Sequence, residues 1–208
     1  MLTPPLWQPE ETGWSAAGCF VCFARGTHGP GATGDPGWAA AALVRGDEVV
    51  VGPVIRQPAG FRYVPGLLAL REGPLLEAAV LALPARPDVL LVDATGRDHP
   101  RRAGLALHLG SRLDLPSVGV THRPLIATGE LPADEDGAMS PLRIGEETVG
   151  YWARPHRGLR PLAAHAAWRT SPEVAAAVVL GLWCGRRTPE PLRAAREAAR
   201  TARTQDER

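Results

Sequence analysis

Apolar and polar positions along this chain predict strands first and strand–helix alternation later. Residues 18–23 form an unbroken apolar and aromatic run fit for a buried strand. A glycine-rich turn over 26–37 follows. Two apolar runs, 38–44 and 48–54, are then joined by Arg-Gly-Asp, which is a hairpin signal. Pro74 with Leu75, Leu76, Ala79, Val80 and Leu83 has the spacing of one helix face, with proline in the first turn. The run Asp88-Val-Leu-Leu-Val-Asp93 is short and wholly apolar between its acids, the pattern of a strand covered on both faces. Residues 103–113 read as a helix and 117–120 as another buried strand. The segment 121–140 reads as a loop that leaves Asp134, Glu135 and Asp136 in solvent. A late hairpin is expected over 142–144 and 148–153. Ser171-Pro172-Glu173 then opens a helix through Leu182, with serine as its cap. Residues 190–208 read as a terminal helix that frays. This order predicts an α/β domain, a mixed sheet flanked by helices, with ligands at the carboxyl ends of its parallel strands. Asp93 stands at such an end.

Composition narrows the classes. At 208 residues the chain suits one domain, since single cores run to about 250 residues. Its expected parts are a Pro-rich arm over 1–15, a domain over 16–192 and an Arg/Ala-rich tail over 193–208. A net charge of +1, from 23 basic and 22 acidic residues, neither requires nor excludes a polyanionic partner. Every one of those basic residues is arginine, whose planar fork matches phosphate oxygens. Three cysteines argue against a disulfide framework and for a reducing compartment. Cys19 and Cys22 have C-x-x-C spacing, but on a strand they point to opposite faces and chelate nothing together. The first 15 residues lack the basic start and apolar run of a signal peptide, and no stretch reaches the roughly 20 apolar residues of a membrane span. A cytoplasmic monomer without membrane contact is expected.

Two segments carry chemistry. In the first, Asp93-Ala-Thr-Gly-Arg-Asp-His99-Pro-Arg101-Arg102, an acid leaves a buried strand into a glycine-containing loop, placed to bind a cation. His99 and Arg101 beyond it suit the phosphates such a cation neutralises. The plainer reading is a helix-capping loop with solvated charges. In the second, Tyr63-Val64-Pro65-Gly66 is a stiff turn carrying an aromatic ring, which can wedge into a base stack. Glu72 follows just before the expected helix, where a charge favours the helix start. Taken singly, the preferred reading is Tyr63 as a core aromatic and Glu72 as a helix acid.

Order changes that balance. Tyr63-Val-Pro-Gly-Leu-Leu-Ala-Leu-Arg-Glu-Gly-Pro74, Pro87-Asp-Val-Leu-Leu-Val-Asp93 and His99-Pro-Arg101 occur in succession. Gly104-Leu-Ala-Leu-His-Leu-Gly110, Pro116-Ser-Val-Gly-Val120 and Gly185-Arg-Arg-Thr-Pro-Glu-Pro-Leu192 come after them. Over residues 15–195 this closely resembles the endonuclease V family. The resemblance implies an RNase H-like fold and Mg²⁺-dependent cleavage of DNA or RNA strands containing deoxyinosine or inosine, at the second phosphodiester on the 3′ side of the lesion. It assigns Glu72 and Asp93 as catalytic carboxylates and metal ligands, and Tyr63, Val64, Pro65 and Gly66 as the wedge beside the lesion. His99, Arg101 and His122 fall at strand-contacting positions.

The chain also departs from the family pattern. The first-strand Asp that contacts the family's metal falls on Phe20, which offers no oxygen to Mg²⁺. A late His falls on Ala167 or Trp168. The family's Lys falls on His122, and its Gly-Gln-Gly has become Ala94-Thr95-Gly96. Asp35, Asp98, His28 and His165 are candidates to supply a missing ligand. Three readings follow: a nuclease with an altered metal set, a binder that does not cleave, and a family fold repurposed for a non-nuclease role. The departures favour strand binding with impaired or altered cleavage, with Mg²⁺ weakly bound or absent.

Overall fold

The structure is a computed structural model describing residues 5–10, 13–25 and 30–208. The elements run β1 (Ser15–Phe23), β2 (Pro36–Arg45), β3 (Glu48–Val51), β4 (Ile55–Pro58), α1 (Leu68–Leu81), β5 (Val89–Val92), α2 (Leu105–Leu113), β6 (Ser117–Thr121), β7 (Met139–Ile144), β8 (Glu147–Ala153), β9 (Leu162–Ala166), α3 (Pro172–Gly181) and α4 (Glu190–Asp206). The strands form one sheet in the order β3-β2-β1-β5-β6-β9-β8-β7, with β4 also on β2. β1, β5 and β6 run parallel, and every other pairing is antiparallel. The expected mixed sheet is present.

Alternation along β1 divides the core. Ala17, Cys19 and Val21 pack with Leu75, Leu76 and Leu109 of α1 and α2 on one face. On the other face Cys22 packs beside Ala199 and Ala202 of α4, with Phe20 against the same cluster. The two neighbouring cysteines therefore lie on opposite faces, free and buried, as period-two geometry requires. Gly18 is placed by its neighbour: a methyl group there would overlap the backbone of Pro191 and Leu192. Its absence lets the first turn of α4 settle directly on the strand.

Several elements differ from the sequence expectation. α1 begins at Leu68, so Glu72 lies in its second turn and Pro74 inside it. Arg71 explains the earlier start. Its buried guanidinium is held by Asp35 at 2.7 Å, by the carbonyls of Ala32 and Phe61, and by the Phe23 ring 4.0 Å away. These tertiary contacts fix a helical turn upstream of the proline. β4 and β9 were not expected, since the alanine-rich Leu162–Ala166 carries no β-branched signal. The terminal helix expected over 190–208 is present as α4, but it is packed down, with Leu192, Ala195, Ala199 and Ala202 buried. Ser171 caps α3 as expected, its side chain accepting from Val174 N at 3.2 Å.

Candidate functional site

β5 ends beside the middle of β1, with Cys19 paired to Val92, so Asp93 leaves the sheet next to Phe20, which β1 carries on toward Phe23. Glu72 on α1 joins them around a small cavity shared with Cys19, Val21 and Leu68. Burial drives the Glu72 carboxyl up to about 7, Arg71 opposes the shift and the like charge of Asp93 adds to it. Burial likewise pushes the Cys19 thiol up, helped by the charges of Asp93 and Glu72. The two predicted carboxylates are thus brought together. Their third neighbour comes from α4: Arg196 Nη2 donates to Asp93 Oδ2 at 2.6 Å. The Arg196 guanidinium carbon lies 5.2 Å from the Phe20 ring centroid, and that of Arg200 lies 5.4 Å from the same ring.

This donor set does not fit Mg²⁺, which takes six oxygens in near-octahedral geometry. Phe20 supplies none, and one oxygen of Asp93 is already held by a guanidinium. Among the described residues, no group of three or more His, Cys, Asp or Glu side chains could hold a metal ion.

A second cavity of about 250 Å³ lies beside the first and is lined by Tyr63, Gly66, Ala94, Thr95, His99 and Thr121. It joins the two chemistry-bearing segments of the sequence. Arg101 Nη1 donates to the Gly66 carbonyl at 2.9 Å, and His99 Nδ1 accepts from Arg101 N at 3.2 Å. Gly66 takes φ +76°, the left-handed conformation that suits glycine at a turn. Val64 lines the cavity, Pro65 is exposed, and the Tyr63 ring is 39% exposed at the rim rather than in the core. His99 is buried, and burial followed by the Arg101 charge lowers its pKa. His122 lies exposed near Asp93, Arg187 and Arg196; desolvation and the two arginines lower its pKa while Asp93 raises it.

The proposed replacement ligands go elsewhere. Asp35 pairs with Arg71 and accepts from Ala32 N at 2.8 Å, because it ties the turn before β2 to α1. Asp98 is fully buried and accepts from the backbone N–H groups of Leu125, Ile126 and Ala127 at 2.6–2.9 Å. His165 is also fully buried, its Nε2 2.8 Å from Thr121 Oγ1 and its Nδ1 3.7 Å from Asp98. Burial lowers its pKa, opposed by the charge of Asp98. His28 lies outside the described residues. Ala167 is buried in the core, and Trp168 donates from its backbone N–H to Ser117 Oγ. Cys184 is exposed, with Sγ 3.1 Å from Glu190.

Arg196 is the residue that sequence reasoning missed. A usable signal was present: the spacing of Leu192, Ala195, Ala199 and Ala202 marks a buried helix face, and Arg196 and Arg200 flank it. Small alanines made that face look like part of a solvated tail.

The chain matches the Endonuclease V family model over residues 31–197. It is 41% identical to the Endonuclease V of Thermus thermophilus over 167 residues, 79% of this chain and 74% of that protein. The crystal structure of Endonuclease V from Streptomyces avermitilis superposes with a TM-score of 0.87 at 33% identity, covering 100% of this chain and 88% of that one. Endonuclease V of Ciona intestinalis, solved with a DNA containing an inosine, shares the fold at TM-score 0.78 and 21% identity, covering 93% of this chain and 87% of that one. The RNase H-like architecture implied by the ordered motifs is therefore present. From residue matches and fold together, the chain belongs to the Endonuclease V family.

Proposed function

We propose that this chain binds DNA or RNA strands containing deoxyinosine or inosine, and that its metal-dependent phosphodiester cleavage is impaired or absent. The carrying observation is the pairing of a complete wedge turn and cavity with a carboxylate site that a guanidinium has entered. Tyr63, Val64, Pro65 and Gly66 would part the bases beside the lesion, and His99, Arg101 and His122 would meet the strand. Expelling a hypoxanthine costs less than expelling a well-paired base, which favours the lesion. The Ciona relative, crystallised with inosine-containing DNA, supports the partner class.

The test is a nicking assay with Mg²⁺ or Mn²⁺ on a deoxyinosine duplex and an inosine RNA, with binding measured at two salt concentrations. Little nicking is expected, with tighter binding to inosine than to adenosine strands and an affinity that falls as salt rises. Turnover near the ordinary enzyme range of about 1 s⁻¹ or faster would overturn the impaired-cleavage reading. A flat salt response would instead favour a repurposed fold with a non-nuclease role.

A further inference from the structure

β1 exposes Gly18, Phe20 and Cys22 to α4, because alternate residues share a face. The bare backbone at Gly18 brings in the first turn of α4 at Pro191 and Leu192. One turn later along that helix, Arg196 arrives between the Phe20 ring and Asp93. Arg200, exposed one further turn on, lays its guanidinium over the same ring. Phe20 is therefore more than a lost oxygen. Its ring is a plate that orients two guanidiniums by cation–π contact, each within the usual 6 Å range.

We propose that Arg196 is the resident cation of this site, and that a strand's phosphate is received on Arg196 and Arg200 without a divalent ion. The Arg196–Asp93 pair is partly buried, with side chains 23% and 30% exposed, so it is screened less than a surface pair. It neutralises Asp93, one of the two carboxylates that would otherwise repel phosphate at this strand end. Arg187 and His122 border the same place, as the opposing influences on the His122 ring show. A divalent ion entering here would have to displace a charge-assisted hydrogen bond and would then find Asp93 and Glu72 alone. The phosphate part of this inference rests on the strand-binding reading above; the cation part does not.

The test uses the full chain and two readouts. Electron paramagnetic resonance with Mn²⁺ alone should show no bound ion in the wild type at concentrations where Arg196→Ala binds one. Arg196→Gln, which keeps a hydrogen-bond donor for Asp93 but no charge, should also gain the ion; it serves if the alanine variant does not fold. Adding Asp93→Asn to either variant should abolish that binding. Wild-type affinity for a deoxyinosine strand should be the same in EDTA as in Mg²⁺. The Arg196 variants should bind more weakly in EDTA and lose about one unit from the slope of log affinity against log salt. Asp93-dependent Mn²⁺ binding by the wild type would overturn the proposal, since Arg196 would then be displaceable. If the Mn²⁺ results hold but no protein binds the strand, the cation assignment stands and the strand-binding reading fails.

Discussion

Replacing Glu72 by glutamine should stabilise the protein at neutral and alkaline pH and leave it little changed in acid. The Glu72 carboxyl is raised from the ordinary 4.5 to about 7, chiefly by burial and further by Asp93. Below the ordinary value both folded and unfolded chains hold the proton, and burial of the neutral acid costs little. Between 4.5 and about 7 the unfolded chain releases its proton while the folded chain keeps it, so stability falls as pH rises. Above that window the whole penalty applies. At 1.36 kcal/mol per unit it is at most about 3 kcal/mol, and partial solvent screening brings it to about 2 kcal/mol. Urea denaturation of the wild type and Glu72→Gln in EDTA, at pH 5 and at pH 8.5, measures it directly. Equal stability differences at the two pH values would refute the reasoning, because glutamine would then act through packing and not through charge.

Three further outcomes are expected. Asp98→Ala removes the buried carboxylate to which three backbone N–H groups donate, beside His165, and should cost about 3–5 kcal/mol by denaturant midpoint, with Asp98→Asn costing less; a loss below about 1 kcal/mol would mean water replaces the carboxylate. Gly18→Ala drives a methyl group into the backbone of Pro191 and Leu192 and should cost about 1–3 kcal/mol, and an unchanged melting curve would contradict the close seating of α4. Tyr63→Ala removes a rim-exposed ring, so it should leave stability within about 0.5 kcal/mol yet weaken binding of an inosine strand by about 1–3 kcal/mol, read by fluorescence anisotropy.

Much of this fold is legible in the sequence because the signals are local. Val89–Val92 is apolar throughout and is buried throughout. Ser171 with Pro172 marks the start of α3 by cap chemistry that needs no tertiary partner. What escaped depends on distant contacts. The start of α1 is set by Arg71 reaching Asp35, Ala32 and Phe61, which no helical periodicity encodes. β9 is hidden because Leu162-Ala-Ala-His-Ala has no strand-forming composition and is held by β6 and β8 on either side. The site divides in the same way. Glu72, Asp93 and the turn at Tyr63 are carried by motifs. Arg196 flanks a helix face that the alanine spacing marks, but its pairing with Asp93, 103 residues earlier, exists only once that helix folds back onto the sheet.

The hydrogen bond from Arg101 to the Gly66 carbonyl ties together two chain segments with separate destinations. The turn at Gly66 runs on into α1 and so to Glu72; the loop holding Arg101 descends from β5 and so from Asp93. Any opening of this mouth, as the proposed strand binding would require, therefore loads the same scaffold that sets the spacing of the acids. The turn at the rim and the acids at the floor are joined through one guanidinium–carbonyl tether.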